Sequence, residues 1–221
     1  NLPTPSPITC DKQTTFLEEN IKENLLESLS YRLISDVPIG VLLSGGLDSS
    51  SLVSLLSSIG EKNIKTFSVG FGTQSDELEY ARIVADKFKT QHTEILIAAE
   101  DIKKYLPKIV LSLDEPIADT GAFASWLIFK HIREKTNIKV ALVGEGADEI
   151  FAGYSWHYIL ERLSWLPESI KNRILFYLTT YSNSKFRNAL FKNVFSATFN
   201  KFSDSDYLNR VLRMEFANNL P

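Results

Sequence analysis

The sequence has very little cysteine, with one residue, Cys10, among 221. A single cysteine excludes an internal disulfide, and no catalytic or metal-ligand pattern surrounds it. Long hydrophobic runs are also missing, since no apolar stretch approaches the ~18 residues that span a bilayer. Residues 1–7 lack the basic and apolar regions of a signal peptide. We therefore expect a cytoplasmic protein that has no membrane partner.

Positive charge is not in excess either. Lys and Arg total 24 against 27 for Asp and Glu, which gives a net charge of −3. A nucleic-acid surface typically carries a dense stripe of Lys and Arg, and no part of the chain has one. We expect no nucleic-acid partner, and we expect any anionic ligand to be held at a local site.

An initiator methionine is absent, and the first residues are rich in Pro and Thr. This composition is typical of a linker between domains. We therefore interpret residues 1–13 as a linker-like leader and expect the natural protein to begin further upstream.

Hydrophobic periodicity predicts strands that alternate with helices. The pattern Thr15-x-x-Glu18 resembles a capping box and predicts a first helix from Thr15 to about Ile34. Strands are predicted at 39–43, 64–69, 92–97 and 139–143. Further helices are predicted at 49–59, from a cap at Asp76 to 88, from about 100, and at 123–135. The alternation predicts an α/β fold with a doubly wound, mainly parallel sheet flanked by helices.

This sheet core is expected to occupy residues 14–154. The alternation stops after residue 154, and residues 155–221 contain no convincing strand. We predict a helical subdomain there and expect it to be truncated at its C-terminus. A ligand of such a sheet binds at the carboxyl ends of the strands.

The first candidate site is the turn after the first strand, Ser44-Gly-Gly-Leu-Asp-Ser-Ser50. Gly45 and Gly46 lack a Cβ, so their backbone N–H groups can approach phosphate oxygens at the start of a helix. Further hydrogen bonds can come from three hydroxyls, those of Ser44, Ser49 and Ser50. Asp48 would repel a polyphosphate unless a cation stood between them, and Mg²⁺ typically bridges a carboxylate and substrate phosphates. A turn of this kind could also serve only to cap the helix.

The second candidate site follows the last predicted strand and reads Gly144-Glu-Gly-Ala-Asp-Glu149. Its glycines, Gly144 and Gly146, permit close backbone approach, and it places three carboxylates within five residues, those of Glu145, Asp148 and Glu149. Like charges that close together are costly unless they share a cation, a basic side chain or a proton. We expect the two turns to converge on one ligand. The helix dipole alone would also favour acids in a first helical turn.

Together these motifs resemble the synthetase domain of the glutamine-hydrolysing asparagine synthetases, a branch of the N-type ATP pyrophosphatases. The resemblance extends over about residues 14–154, and its matching stretches follow the family's order at 37–50, 67–71 and 114–119. It implies an adenine nucleotide α-hydrolase-like fold. Two departures stand out. Val143 replaces a usual Ser, which removes a hydroxyl near the nucleotide, and Ala152 replaces a usual Gly.

The resemblance also implies that ATP and Mg²⁺ are bound, and it assigns roles to residues. Adenine would lie against the backbone of Leu43 and Val69. The implied nucleotide-binding set is Leu43, Ser44, Gly45, Gly46, Leu47, Asp48, Ser49, Ser50, Val69, Gly144 and Gly146. Asp48 and Asp148 would be the metal ligands, Glu145 would organise formation of an acyl-adenylate, and Asp148 would help to bind pyrophosphate or the substrate amino group.

Three further acids, Asp114, Glu115 and Asp119, would line the amino-acid pocket. The sequence Asp-Glu-Pro within this segment can also serve simply to stop a helix. His92 is expected to be packed or solvated rather than catalytic, because no Cys or Ser partner is recognisable near it.

The reaction that the resemblance implies is the ATP-dependent conversion of aspartate to asparagine through an acyl-adenylate, with release of AMP and pyrophosphate. Ammonia would come from an N-terminal glutaminase domain upstream, and a homodimer is left open. Two alternatives remain at this point. One is a related amidotransferase or β-lactam-synthetase-like enzyme that acts on another carboxylate, and the other is a non-catalytic ATP-binding module that regulates a partner.

Overall fold

The computed structural model describes residues 11–72, 77–113 and 121–180, together with 207–208 and 211–212. The strands are β1 (Ile39–Leu42), β2 (Lys65–Gly70), β3 (Gln91–Leu96) and β4 (Val140–Leu142). The helices are α1 (Asp11–Leu33), α2 (Leu47–Ser58), α3 (Leu78–Phe88), α4 (Ala99–Ser112), α5 (Gly121–Lys135), α6 (Ala147–Phe151), α7 (Ser155–Arg162) and α8 (Glu168–Thr180).

The four strands form one parallel sheet in the order β3-β2-β1-β4. In the register of the central strand, Val41 lies between Thr66 of β2 and Leu142 of β4. Strands β2 and β3 are added on one side of β1, and the chain then returns to add β4 on the other side. A crevice opens at such a reversal, outside the carboxyl ends of the strands, and ligands of open α/β sheets bind there.

Helices cover both faces of this sheet. On one face, Val41 and Leu43 pack with Val53 of α2 and Ala81 of α3 in one buried cluster. On the other face, Phe67 of β2 packs with Ile95 of β3 and with Leu127 and Ile128 of α5. Successive side chains of a strand point to opposite faces, so the apolar strands of a sheet covered on both sides can bury every position. The predicted doubly wound α/β fold is confirmed.

Three predicted helix starts are displaced, and one is that of α5, which begins at Gly121 instead of residue 123. Helix α1 begins at Asp11, four residues before Thr15, so the capping-box prediction is wrong and Thr15 lies inside the helix. Lys12 and Gln13 are good helix formers, which allows the helix to extend past that position. Helix α2 begins at Leu47 instead of residue 49, so that Asp48 lies in its first turn. The predicted cap at Asp76 lies outside the described residues.

The chain divides into two compact units. One contains α1–α5 and β1–β4 and ends at Gly144; the other begins at Glu145 and contains α6–α8. The described residues after 154 are helical, as predicted, and Leu160 and His157 of α7 are fully buried. The domain boundary predicted at residue 154 stays a prediction. Among the described helices, none combines the length and the apolar character that crossing a bilayer requires.

Candidate active site

The first turn begins where β1 ends, and β2 fixes Leu43, the residue that leads into it. The N–H of Leu43 donates to the carbonyl oxygen of Phe67 at 2.8 Å. The hydroxyl of Ser68 donates to the carbonyl oxygen of Leu43 through a short hydrogen bond. Leu43 and Ser68 are both buried. Both backbone polar groups of Leu43 are therefore satisfied from the neighbouring strand, and the turn leaves the sheet in a defined direction.

Hydroxyl groups organise the turn itself. The Oγ of Ser49 accepts from the N–H of Ser44 at 3.2 Å, lies 3.0 Å from the Oγ of Ser44, and donates to the carbonyl oxygen of Gly46 at 3.3 Å. The N–H of Gly46 donates to the Oγ of Ser44 at 3.2 Å. These bonds close the turn on the start of α2. Ser49 thus has a structural role within the turn, and its predicted contact with phosphate stays a prediction.

The two glycines of the turn differ in how far the fold depends on them. Gly45 has φ +86°, a left-handed conformation that favours glycine. A Cβ there would lie 2.5 Å from the backbone N of Ala81 and 2.7 Å from the carbonyl carbon of Tyr80, both on α3. Gly46 has an ordinary φ of −67°, and a Cβ there would first meet the Oγ of Ser44 at 3.3 Å. Gly45 is needed by the fold, whereas a Cβ at position 46 would meet no backbone atom within 4 Å.

The first glycine of the second motif, Gly144, lies against the first turn. A Cβ on Gly144, two residues after β4 ends, would lie 3.0 Å from the Cβ of Asp48 and 3.2 Å from the N of Ser49. The chain after β4 therefore packs against the first turn of α2. Asp48 is half-buried there, at the end of the helix where the dipole stabilises negative charge.

A cavity of about 400 Å³ lies beside this turn. Its walls are mainly apolar and include Phe67, Val69, Phe71, Leu78 and Ile128, and its polar groups belong to Ser44, Ser68 and Glu77. Leu43 and Val69, the residues predicted to contact adenine, both line it. Cavities that hold small organic ligands typically have this size and this mixture of apolar walls with few polar groups.

The second turn lies at the start of the other unit. Gly146 has φ +88° and precedes α6, whose first turn contains Asp148 and Glu149. Glu145 is exposed and Asp148 is half-buried, whereas Glu149 is only 7% exposed. The hydroxyl of Tyr154 donates to Oε1 of Glu149 at 2.8 Å. The three acids therefore differ in environment, and one of them is held inside the unit.

The end of α6 shows the structural consequence of one of the two departures noted in the sequence. Ala152 has φ +58°, so it occupies a left-handed position where glycine is favoured. The next residue, Gly153, donates its N–H to the carbonyl oxygen of Asp148 at 3.0 Å, and a Cβ on Gly153 would collide with the carboxylate of Asp148. The second turn is thus closely folded on itself.

The predicted site residues fall into three groups. The turn residues 43–50, Val69 and Gly144 lie together in the sheet unit. Glu145, Gly146 and Asp148 belong to the other unit, so their convergence with the first turn stays a prediction. Asp114, Glu115 and Asp119 lie outside the described residues.

Sequence reasoning missed several residues that surround the site. Ser68, which fixes Leu43, and Ile128, which closes one cavity wall from α5, had no motif to mark them. Tyr154, five residues after Glu149, also had no local signal that marked it as the hydrogen-bond donor to Glu149. Contacts of this kind join residues that are distant in sequence or on separate turns, and periodicity does not report them.

The described acids do not by themselves form a metal site. No group of three or more His, Cys, Asp or Glu side chains is arranged as a metal site within 14–72, 77–113 and 121–174. Magnesium that binds with substrate phosphates needs only one or two carboxylates from the protein. Asp48, in the first turn beside the cavity, can provide one of them.

Comparison with known proteins gives a consistent assignment. Residues 20–218 match the family described as Asparagine synthase. A putative asparagine synthetase (glutamine-hydrolyzing) 2 of Methanocaldococcus jannaschii is 35% identical over 174 residues, which is 77% of this chain and 33% of that protein. Asparagine synthetase (glutamine-hydrolyzing) 1 of Bacillus subtilis is 35% identical over 163 residues, 72% of this chain and 25% of that protein. The human asparagine synthetase (glutamine-hydrolyzing) is 35% identical over 154 residues, 65% of this chain and 27% of that protein.

Among solved structures, the NH3-dependent NAD synthetase from Campylobacter jejuni covers 92% of this chain and 97% of that chain, with 16% identity and a TM-score of 0.43. The fold class follows from the parallel sheet and from the helices on both of its faces. The chain spans between 25% and 33% of the length of the three relatives named above. Because the family match extends over residues 20–218 of 221, the chain belongs to the asparagine synthase family.

Proposed function

We propose that this chain carries out the ATP-dependent step of asparagine synthesis. The side-chain carboxylate of aspartate attacks the α-phosphorus of ATP, which forms an acyl-adenylate and releases pyrophosphate. Ammonia then attacks the activated carbonyl carbon, so that an amide forms and AMP leaves. The observation that carries this proposal is the cavity of about 400 Å³ at the carboxyl ends of β1 and β2, next to a glycine turn at the start of α2.

The apolar part of the cavity suits the adenine ring. Leu43 and Val69 lie along it, and Phe67 and Ile128 provide apolar surface. The carbonyl oxygen of Leu43 already accepts from Ser68, but a carbonyl has two lone pairs and can accept from an exocyclic amine as well. The base would therefore be held by apolar contact and by backbone groups that the sheet has fixed.

The phosphates would bind at the first turn, where three features favour an anion. The N–H groups of the first turn of α2 have no carbonyl partner within their own helix. The dipole of that helix is positive at this end. The Oγ of Ser50 is buried and makes no hydrogen bond among the described residues. An unsatisfied buried hydroxyl costs about 1–3 kcal/mol, which a hydrogen bond to a phosphate oxygen would offset.

Asp48 would hold Mg²⁺ at this turn. When bound, Mg²⁺ neutralises charge on the phosphate oxygens and helps the pyrophosphate to leave. Asp48 would hold the metal at a defined place, because its backbone is fixed in the first turn of α2 and its Cβ lies against Gly144. The assignment of Asp148 as a second metal ligand, and of Glu145 as a group that acts on the reacting carboxylate, rests on the family resemblance.

Glutamine is the proposed source of ammonia, because the relatives are described as glutamine-hydrolyzing. A glutaminase domain of the same protein would release it. Asparagine as the product is supported by the same names and by the family match.

Pyrophosphate exchange tests this proposal. In the full-length protein that contains this chain, labelled pyrophosphate should enter ATP only when aspartate and Mg²⁺ are both present. Added ammonia should then give asparagine, AMP and pyrophosphate in equal amounts. Binding of ATP without exchange would indicate a regulatory module, and exchange with another carboxylate in place of aspartate would indicate a different amide-forming or lactam-forming enzyme. Release of ADP and phosphate would refute the acyl-adenylate.

Chain variants locate the reaction. Asp48→Asn should remove aspartate-dependent exchange, because it weakens the bridge between metal and phosphates. Asp36→Asn provides a matched control, since Asp36 is an exposed acid before β1, at the opposite end of the same strand. Equal exchange in the two variants would place the reaction elsewhere.

A further inference from the structure

Glu149 is a buried carboxylate to which the proposed reaction gives no role. It is 7% exposed, and the described residues offer it one hydrogen bond, from the hydroxyl of Tyr154 at 2.8 Å. Removing a carboxylate from water is costly unless donors replace the water. A single donor therefore has a large influence on where this carboxylate lies.

Tyr154 is itself held by aromatic packing. Its ring stacks on Trp156 at a centroid distance of 5.9 Å and an interplanar angle of 10°, and it lies 5.4 Å from the ring of His157. Trp156 and His157 pack on each other at 3.8 Å, and His157 is 1% exposed. The N–H of His157 donates to the carbonyl oxygen of Tyr154 at 2.9 Å. The start of α7 thus provides a rigid support for the phenol.

Helix α6 needs such a support because it is too short to be stable by itself. It has five residues and lies between two left-handed residues, Gly146 with φ +88° and Ala152 with φ +58°. Isolated helices of this length do not form, since the cost of nucleation is not recovered. Its rotation about its own axis must therefore be set by side-chain contacts, and the bond between Glu149 and Tyr154 is the contact made by its buried acid.

We propose that Tyr154 and Glu149 form a positioning pair: their hydrogen bond orients the turn that carries Glu145 and Asp148. Asp148 precedes Glu149 directly, and its carboxylate packs against Gly153 in the space where a Cβ would lie. A change in the rotation of α6 would move that carboxylate. The inference rests on the proposed function, because it assumes that Glu145 and Asp148 act in the reaction. Tyr154 acts through Glu149 and does not itself touch the reactants.

The first experiment uses Tyr154→Phe in the full-length protein. The phenylalanine keeps the ring packing and removes the donor. We expect kcat for aspartate-dependent pyrophosphate exchange to fall about 10- to 100-fold, since small displacements of reacting groups have effects of this size. The KM for Mg-ATP should change less than kcat, because most residues assigned to nucleotide binding lie in the other unit, and only Gly146 and Asp148 lie in this one. Tyr158→Phe is the matched control, since Tyr158 is an exposed tyrosine of α7 whose hydroxyl accepts from Arg162 at 2.8 Å.

Substitutions of Glu149 separate position from charge. In Glu149→Gln an amide oxygen can still accept from the hydroxyl of Tyr154, so this variant should retain most of kcat. Glu149→Ala removes the acceptor and should resemble Tyr154→Phe. The double variant Tyr154→Phe/Glu149→Ala should lose no more than either single variant, because both remove the same bond. A loss in Glu149→Gln as large as in Glu149→Ala would show that the charge of the carboxylate matters and would overturn the positioning role.

Hydrogen exchange provides a measurement that does not depend on activity. Amides of residues 147–151 should exchange faster in Tyr154→Phe, whereas those of residues 158–162 should not change. Unchanged amide exchange at 147–151, or unchanged kcat, would refute the pair. An inactive wild-type protein would instead refute the proposed function, and with it the catalytic consequence of the pair, while the amide measurement would still decide whether the pair orients α6. If Tyr154→Phe failed to fold, the comparison of Glu149→Gln with Glu149→Ala would give the same decision.

Discussion

The two glycine- and acid-containing turns of this chain are built in different ways. The first, residues 43–50, follows the central strand of a sheet directly. It is held closed by hydrogen bonds of its own hydroxyl groups, mainly that of Ser49. The second, residues 144–154, contains a five-residue helix between left-handed residues and depends on the bond from Tyr154 to Glu149. Similar composition therefore does not imply a similar source of order.

The difference lies in where each turn obtains its rigidity. The first turn is held rigid by the sheet unit. Strand β2 makes hydrogen bonds to both backbone groups of Leu43, and α3 packs against Gly45. The second obtains its rigidity from side chains within about ten residues of sequence. A substitution that disturbs the backbone of the first turn should therefore affect the stability of the whole sheet unit. A substitution in the second should act locally, on the geometry of a few groups.

Gly45→Ala should have the largest effect on stability. The left-handed conformation costs a non-glycine residue about 1–2 kcal/mol, and a Cβ would also clash with the backbone of α3. We expect the free energy of unfolding to fall by about 3 kcal/mol or more in a denaturant titration. Gly46→Ala is the matched control, because its φ is ordinary and a Cβ there would meet only the Oγ of Ser44. It should cost less than about 1 kcal/mol in stability. Similar losses in the two variants would remove the distinction between the glycines.

Asp48→Asn should have the next largest effect, on ligand affinity instead of stability. If Asp48 binds Mg²⁺ beside the phosphates, the affinity for Mg-ATP should fall at least about 10-fold, which corresponds to about 1.4 kcal/mol. The affinity for metal-free ATP should stay the same or rise, because a repulsive charge has been removed. Titration calorimetry with and without Mg²⁺ measures both. Equal losses for the two ligands would contradict the metal bridge, and Asp36→Asn should change neither affinity.

The two turns also differ in how far the sequence predicts them. The strand at 39–43, the glycine turn and the following helix were all predictable, because a buried apolar strand followed by glycines and a helix start is a local pattern. The cavity was predictable only in its location, since doubly wound sheets bind ligands at the carboxyl ends of their strands. Its apolar walls from Phe71 and Ile128 come from different elements, and no local signal connects them.

The second turn was predictable in composition but not in geometry. Three acids within five residues marked it, yet nothing local indicated that Glu149 would be buried while Glu145 is exposed. The start of α1 was misplaced because helix formers before Thr15 extend the helix, and the position of a capping residue does not outweigh them. Sequence patterns predict elements best, and they predict the environment of individual side chains poorly.

Ala152→Gly tests the second turn by removing the backbone strain at its left-handed residue. Ala152 has φ +58°, which costs a residue with a Cβ about 1–2 kcal/mol. Glycine removes this cost. It also raises the conformational entropy of the unfolded chain, which lowers the stability of the folded state by about 0.4–1 kcal/mol. We expect a net stabilisation of about 0.5–1 kcal/mol, observed as slower amide exchange at residues 147–151. Ala147→Gly, in the first turn of α6, should have the opposite sign, because glycine disfavours helix. Destabilisation by Ala152→Gly would show that the left-handed position is not strained.

Mild acid should produce the smallest effect, and it should appear in the sheet unit that supports the first turn. His92 of β3 is mostly buried; its Nδ1 lies 2.9 Å from Oγ1 of Thr66, and its Nε2 has no hydrogen bond among the described residues. Burial has the largest effect on His92 and lowers its pKa below 6.5. The negative charges of Glu94 and Asp86 raise this pKa in part, and the positive charge of Arg82 lowers it further. The unfolded chain therefore binds a proton more readily than the folded one.

The sign of the pH dependence follows from this difference. With a folded-state pKa below that of the unfolded state, the stability contributed by neutral His92 is fully present above about pH 6.5 and is lost as the pH falls from there through the lowered pKa. Denaturant midpoints measured between pH 7.5 and 5 should therefore fall in the wild type and fall less in His92→Gln, which cannot take up the proton. Amide exchange should locate the loss in β2 and β3, whose Thr66 contacts His92, and not in α6. A decline of equal size in His92→Gln would show that another group takes up the proton. A loss that appears first at residues 147–151 would show that acid acts on the second turn instead of the sheet unit.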